Sequence, residues 1–131
     1  MLEQALKKAI PNQLKNFEKL IGGHDPYHFT TWDKKDGASI LRYWFWDKTE
    51  TKKNHKRVFV NEIEELLKYL LRAQRFTRAD YDKYCPRTRS DGTCGFAVIV
   101  RVLEYFQIID IADGEYRVKS AEKIHELLSN Q

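Results

Sequence analysis

The feature of this sequence that most constrains its fold is a change of hydrophobic period within residues 61–118. Apolar residues first recur at steps of three and four in three successive segments, which places them on one face of a helix each time. These segments are residues 61–73, 78–85 and 93–106. The period then shortens to that of a strand on either side of Asp113–Gly114, a pair that favours a tight hairpin because both residues tolerate positive φ. The sequence therefore predicts three helices closed by a two-stranded hairpin at residues 108–118.

Capping signals mark where the predicted helices begin. Asn61 is followed three residues later by Glu64, an arrangement that permits a capping box. Thr77 and Asp80 repeat the arrangement at the second helix. Ser120 can cap a further helix in residues 119–131 through its hydroxyl. The sequence thus predicts an α+β fold that ends in a C-terminal helix.

An amphipathic helix is predicted at the N-terminus. Apolar residues from Leu2 to Ile21 recur at helical steps and form one stripe. Pro11 lacks an N–H and clashes with the preceding turn, so we expect it to kink this helix or to begin a second one. The stripe must pack against another element. We therefore expect one domain over residues 1–131, in which residues 1–56 elaborate the three-helix unit.

An aromatic-rich β-hairpin is predicted within that N-terminal part. Residues 24–37 carry turn signals and no regular period, and a strand follows at residues 39–46 with apolar side chains on both faces. It is expected to pair with residues 58–60 across a ten-residue polar loop, residues 47–56.

Positive charge is concentrated in the middle of the chain. Residues 42–89 carry thirteen basic and seven acidic groups, whereas residues 90–131 carry four basic and seven acidic groups. A polyanion would approach the middle region, although the same charges could equally form a solvated surface. The basic side chains near the hairpin tip are Lys52, Lys53, Lys56 and Arg57. With Trp44 and Trp46 at the base, they indicate either a charge-and-stacking surface for a nucleic-acid strand or a solvated tip above core tryptophans.

The order of helices and hairpin in residues 57–118 resembles the winged helix-turn-helix superfamily. Residues 75–81, Arg-Phe-Thr-Arg-Ala-Asp-Tyr, are similar to the start of that superfamily's second helix. Residues 100–109 are similar to the passage from its third helix into the wing. The resemblance covers just under half of the chain. It implies a DNA-binding unit whose third helix lies in the major groove while the wing contacts the backbone.

The charges within this unit favour phosphate contacts from outside the wing. The third helix offers few polar groups, chiefly Thr93 and Arg101, and the wing is acidic through Asp110, Asp113 and Glu115. The expected contacts lie around the second helix and the loop after it, where each basic group would neutralise a phosphate. These residues are Arg78, Lys83, Arg87 and Arg89.

Signals for catalysis or metal binding are weak. His24, Asp25 and His28 are close enough in sequence to bind a metal, but no matching third-ligand motif follows, so ordinary loop histidines are favoured. Asp33 and Asp36 beside a strand are the remaining hint of a nuclease site. Phosphate-binding loops, nucleophile elbows and zinc-protease motifs are absent from the sequence. We therefore expect no enzyme activity and no cofactor.

Cysteine usage and hydropathy favour a cytoplasmic protein without a membrane partner. Cys85 and Cys94 flank the basic loop and could bridge, bind a metal or respond to oxidation, but buried reduced cysteines are commoner. Two cysteines in 131 residues are no disulfide scaffold. The N-terminus lacks the pattern of a signal peptide, and no apolar run approaches the roughly 20 residues that span a bilayer.

Three functions follow from these patterns, in decreasing order of support. The first is a small DNA-binding protein, a regulator or an accessory to DNA processing. The second is a protein-interaction or dimerisation module on the same fold. It would use a second apolar stripe of the third helix, which consists of Val98, Val102 and Tyr105. The third is a metal-dependent nuclease or hydrolase.

Overall fold

The chain is a mixed α+β protein, as predicted, and its described residues form two antiparallel sheets. The computed structural model describes residues 2–9, 16–17, 27–47, 49, 51–92, 94–112 and 114–129. Its helices are α1 (Leu2–Ala9), α2 (Val60–Ala73), α3 (Arg78–Tyr84), α4 (Pro86–Asp91), α5 (Gly95–Tyr105) and α6 (Ala121–Leu128). Its strands are β1 (Asn16–Phe17), β2 (Tyr27–Lys35), β3 (Ala38–Trp46), β4 (Lys53–Phe59), β5 (Arg75–Phe76), β6 (Ile109–Ala112) and β7 (Glu115–Val118). Among the described residues, the helices are too short or too polar to cross a bilayer.

The first sheet, sheet A, is an antiparallel meander in the order β1-β2-β3-β4. Its central hairpin turns at Asp36 and Gly37, which have φ of 53° and 79°, a conformation that these two residue types tolerate. A register shift lies between Phe29 and Trp32 of β2. Such a bulge breaks the two-residue alternation of a strand. The prediction that residues 24–37 are irregular is therefore wrong for β2.

The second sheet, sheet B, contains the hairpin predicted at residues 108–118 and one further strand. β6 and β7 form the hairpin, which confirms the Asp-Gly signal. The two residues of β5, which lie between α2 and α3, pair with β7 to give the order β5-β7-β6. Arg75 lies opposite Arg117, and Phe76 lies opposite Tyr116. The start of α3 is thus tied directly to the hairpin.

The core is built around α2 and α5. Seven of the eleven residues of α5 are buried, and Leu66, Leu67 and Leu70 of α2 are inaccessible to solvent. Leu2 and Leu6 of α1 belong to the same core cluster. A helix that is apolar around most of its circumference is stable only in the interior, which makes α5 the central helix of the fold.

Helix α4 was predicted to be a polar loop, and that prediction is wrong. Pro86 occupies its first turn, where a missing N–H costs nothing. The carboxylate of Glu62, on α2, accepts hydrogen bonds from the backbone N–H groups of Arg87 and Thr88, each at 2.8 Å, and from the Thr88 hydroxyl at 2.7 Å. The Thr88 hydroxyl in turn accepts from the Phe59 N–H at 3.1 Å. A cap supplied by a residue 25 or 26 positions away leaves no local signal in the sequence.

Two of the predicted helix starts are confirmed and one is wrong. Thr77 forms the capping box with Asp80, and Ser120 accepts from the N–H of Lys123. Asn61, however, does not cap α2, which begins at Val60 with Phe59 as a cap that makes no side-chain hydrogen bond. The reason is that β4 runs directly into α2, so the helix starts before Asn61.

The N-terminal predictions also need correction. The helix was expected to continue to Ile21, but Asn16 and Phe17 form a strand opposite His28 and Tyr27, so strand pairing replaces the helix there. The expected ten-residue loop at residues 47–56 is shorter. Residues 53–56 already pair with β3, because their polar side chains can occupy a solvent-facing strand.

Candidate nucleic-acid interface

One face of sheet A carries Lys53 and Arg57 beside the two tryptophans of β3. Residues directly opposite each other in antiparallel strands project from the same face. The register therefore places on one face His28 of β2, Arg42, Trp44 and Trp46 of β3, and Lys53, His55 and Arg57 of β4. We call these seven residues, with Arg87 of the adjacent α4, the basic face.

The β3–β4 hairpin that supplies most of the basic face is strongly cationic. Residues 38–59 contain six basic and two acidic side chains, a net charge of +4. This equals the formal net charge of the entire chain, so the remaining residues are neutral in sum. The formal net charge of the protein is therefore carried by this hairpin, while Asp33 and Asp91 from outside it pair with Arg42 and Arg57.

Arg57 and Arg87 meet at one end of the basic face. Their guanidinium carbons lie 5.4 Å and 4.2 Å from the ring centre of Phe59, whose side chain is buried beneath them. Arg57 donates two hydrogen bonds to Asp91 at 2.8 Å and 2.7 Å, and this pairing lowers the pKa of the Asp91 carboxyl. Arg87 lies 3.8 Å from an oxygen of Asp36, an exposed pair that is worth little. The structure thus brings together two predicted contact residues from distant segments.

The tryptophans of the basic face are already covered by neighbouring side chains. The Lys53 ammonium lies 4.5 Å from the ring centre of Trp44 and 5.6 Å from that of Trp46. His28 stacks on Trp44 with ring centres 4.2 Å apart. A base could stack on Trp44 only by displacing one of these groups. This arrangement favours phosphate contacts from Lys53 over base stacking.

The basic residues of α3 and of the end of α4 lie apart from one another. Arg89 pairs with Asp82 at 2.8 Å across α4 and α3. The Lys83 ammonium lies 5.3 Å from the Tyr84 ring. Arg78 lies over the ring of Phe96 at 4.5 Å and lines a cleft beside the wing. These predicted contact residues therefore do not form one site.

Three more predicted contacts differ in position. Lys52 is exposed in the turn between β3 and β4. Lys56 lies opposite Tyr43 on the other face of sheet A and is half-buried. Thr93 lies outside the described residues. Only Lys52 can readily extend the basic face.

The resemblance implies that α5 is an exposed DNA-recognition helix, but most of its surface is buried. Val98 and Val102 are buried in the core, so the proposed interaction surface is reduced to Tyr105, which is 38% exposed. Two of the three residues of the second apolar stripe are therefore covered by the chain itself, which removes the main support for an interaction surface on this helix. Arg101 pairs with Glu104 at 2.7 Å. Little of α5 is left for contacts with a DNA groove.

The described acidic groups of the β6–β7 hairpin, Glu115 and Asp110, have basic partners nearby. Glu115 accepts from Arg117 at 2.8 Å, and Asp110 lies 3.7 Å from the Lys119 ammonium. Asp113 lies outside the described residues. Exposed pairs of this kind are weak, so the wing still offers no surplus of positive charge.

The residues considered for metal or redox chemistry have other roles. Asp33 accepts from Arg42 at 2.9 Å, while His24 and Asp25 lie outside the described residues. Where the chain is described, no group of three histidine, cysteine or acidic side chains could hold a metal ion. Cys85 is a buried free thiol whose pKa is raised by burial, and the free thiol of Cys94 lies 3.2 Å from the Tyr43 hydroxyl.

Sequence reasoning missed Arg42, His28 and His55 as members of the basic face. Arg42 lies directly opposite Arg57, and both histidines lie opposite Trp44. The alternation of β3 could have placed Arg42 beside the tryptophans. The two histidines could not be placed without the register of the neighbouring strands.

Comparison with known proteins adds no relative to this description. No protein-family model matches the chain, and neither a curated protein nor a solved structure is significantly similar to it.

Proposed function

We propose that this protein binds nucleic acid, in the first place double-stranded DNA, through phosphate contacts made by the basic face. The observation that carries the proposal is the charge of the β3–β4 hairpin, which has the net +4 of the whole chain on 22 residues. A duplex presents closely spaced phosphates, and each basic side chain that neutralises one releases a counterion.

We further propose that residues 57–118 form a winged-helix-type unit. The order α2-β5-α3-α4-α5-β6-β7 supports this, with α2, α3 and α5 as its three helices. The pairing of β5 with β7 supports it as well, because it ties the second helix to the wing. Two features depart from the type: α4 is inserted before the third helix, and α5 is largely buried. In this proposal the unit is the scaffold that supports sheet A.

The expected mode of binding is independent of base sequence. Phosphate contacts position a protein on DNA, whereas base readout requires side chains in a groove. Lys53 and Lys52 extend from the turn region of the hairpin, and Arg57 and Arg87 lie at the opposite end of the basic face. The spread of these cations along the strand direction suits a series of backbone phosphates. A regulator that selects its operator would need a further reading element.

The test is the anisotropy of a short labelled duplex at about 50 mM and about 200 mM salt. We expect binding at low salt and a steep loss at high salt. In the variant Lys52→Gln/Lys53→Gln, the slope of the logarithm of the binding constant against the logarithm of the salt concentration should be less steep, by the amount expected for the loss of about two phosphate contacts. Its matched control, Lys68→Gln/Lys123→Gln, removes the same charge from α2 and α6, where Lys68 pairs with Glu65 and Lys123 with Glu126. This control should leave the slope unchanged.

Several outcomes would contradict the proposal. No duplex binding at low salt would refute nucleic-acid binding itself. Equal losses in the two double variants would show that only net charge matters and that the basic face is not the contact surface. Tighter binding of a single strand, abolished by Trp44→Leu, would show that bases stack on the tryptophans and that the phosphate mode is wrong.

A further inference from the structure

Two histidines lie on either side of Trp44 in the middle of the basic face. His28 of β2 and His55 of β4 are both directly opposite Trp44 of β3, so the three side chains form one row across three strands. We call these three residues the histidine row. The ring of His28 stacks on Trp44 with ring centres 4.2 Å apart and 23° between the ring planes. His55 is exposed and His28 is half-buried, so solvent can reach both imidazoles.

The histidine row lies among fixed cations. On β4, His55 is placed between Lys53 and Arg57, and alternate residues of a strand project from the same face. The Lys53 ammonium lies 4.5 Å from the ring centre of Trp44. The cations of this surface, which come from β3, β4 and α4, are Arg42, Lys53, Arg57 and Arg87. Any charge that the imidazoles acquire therefore joins a surface that is already positive.

The carboxylates that reach this surface pair with its arginines. Asp33 of β2 accepts from Arg42 at 2.9 Å, and Asp91 of α4 pairs with Arg57 at 2.7 Å. On the remaining neighbouring strand, β1, the residue opposite the row is the uncharged Asn16. Among these described neighbours, the groups that can change charge near neutral pH are the two histidines of the row.

Protonation of the row and binding of phosphate favour each other. Histidine is the side chain whose charge ordinarily changes between pH 5 and pH 8. A phosphate beside the ring stabilises the imidazolium form, because an opposite charge favours the charged state. A charged His28 ring also keeps a favourable place on Trp44, since a cation over an indole face is attracted by the ring electrons. The complex with a polyanion therefore holds more protons than the free protein does.

We infer that the histidine row makes nucleic-acid binding by the basic face depend on pH, with tighter binding as the pH falls from about 8 to about 6. This inference rests on the function proposed above for the basic face. At the higher pH a polyanion meets the fixed cations alone. At the lower pH the imidazolium groups add phosphate contacts in the middle of the same surface, and each contact releases a counterion.

The experiment measures the affinity of the full chain for the labelled duplex at about pH 6 and about pH 8, at constant salt. We expect the affinity to be about tenfold higher at the lower pH, as uptake of about one proton on binding allows. The dependence on salt should also be steeper at the lower pH, by about one or two phosphate contacts.

Matched variants assign the effect to the histidine row. In His28→Gln/His55→Gln, the ratio of the affinities at the two pH values should fall from about tenfold to about twofold or less. The control His125→Gln removes the same kind of side chain from the exposed side of α6, outside sheet A. It should keep the ratio of the wild type, because this imidazole is not part of the basic face.

A second measurement does not depend on the folding of any variant. In NMR titrations of the wild-type imidazole resonances, the midpoints of His28 and His55 should rise by about half a pH unit or more when the duplex is added, whereas that of His125 should not. The inference is overturned if the duplex binds equally well at both pH values, if the double variant keeps the wild-type ratio, or if the midpoint of His125 rises as much as the other two. Those results would leave the proposed function intact, whereas no binding at either pH would refute both.

Discussion

Replacing Glu62 with glutamine should lower the free energy of unfolding by about 2 kcal/mol. The Glu62 side chain is 5% exposed and accepts three hydrogen bonds, two from Thr88 and one from the Arg87 N–H. An amide keeps one acceptor oxygen, so at least one N–H faces another donor, which costs about 1–3 kcal/mol. The remaining bonds lose charge assistance worth about 1 kcal/mol each. Removing a buried charge from the interior offsets part of this loss.

The measurement is urea unfolding followed by tryptophan fluorescence. For a chain of this length, about 2 kcal/mol corresponds to a fall of roughly 6–10 °C in Tm, which a thermal melt should reproduce. The matched control is Glu65→Gln on the exposed side of the same helix, where the carboxylate pairs with the exposed Lys68 ammonium at 3.2 Å. A surface change of this kind should stay within about 0.5 kcal/mol.

A second variant examines the same network from the other side. Thr88→Val keeps the shape of the side chain but removes the acceptor of the Phe59 N–H and the donor to Glu62. Thr88→Val should lower the free energy of unfolding by about 1–3 kcal/mol. The double variant Glu62→Gln/Thr88→Val should lose less stability than the sum of the two single variants, because the two residues share hydrogen-bond partners. If Glu62→Gln matches Glu65→Gln in stability, the carboxylate is not the cap of α4 and the reasoning fails.

Two further perturbations follow from the packing and from the ion pairs. Gly95→Ala should destabilise the protein by about 1–3 kcal/mol in thermal melts, because the added Cβ would lie 2.5 Å from the Tyr81 hydroxyl and 2.7 Å from the Thr88 methyl group. In Gly37→Ala, where the Cβ meets nothing within 4 Å, only the strain of a positive φ should appear, so a smaller loss for Gly95→Ala would contradict the packing. The folded pKa of Asp91 is lowered by Arg57, so its contribution to stability is present above the unfolded pKa of about 3.9 and is lost as the pH falls through the folded value. The urea midpoints of wild type and Asp91→Asn should therefore converge in that acid range, and a constant difference down to full protonation would exclude the ion pair as the cause.

Local signals accounted for the second half of the chain except for α4. Thr77 and Ser120 cap helices through contacts three residues away, and the hairpin predicted from the Asp-Gly pair is present as β6 and β7. The helical steps of α2 and α5 could be read for the same reason, since the buried face of a helix repeats within a few residues. Most predictions whose determinant lies close in sequence to the element are confirmed; the exception is Asn61, because β4 runs directly into α2.

The predictions are wrong where the residues that determine an element lie far away in sequence or where the sequence pattern of the element is irregular. α4 depends on Glu62, which lies on another helix, and β2 hides its alternation behind the bulge between Phe29 and Trp32. The basic face is of the same kind, because Arg57 and Arg87 meet only when α4 packs against β4. A list of basic residues from the sequence therefore included several that point elsewhere, such as Arg78.

The cap of α4 links the stability of the fold to the shape of the basic face. The Glu62 carboxylate accepts a hydrogen bond from the backbone N–H of Arg87. The Arg87 side chain lies over the Phe59 ring, beside Arg57. Because loss of the cap would free the first turn of α4, we expect the Arg87 guanidinium to lose its fixed position over the Phe59 ring. Phosphate binding that is independent of base sequence tolerates such movement better than base readout does. Glu62→Gln should therefore change the free energy of the proposed DNA binding by less than it changes the free energy of unfolding.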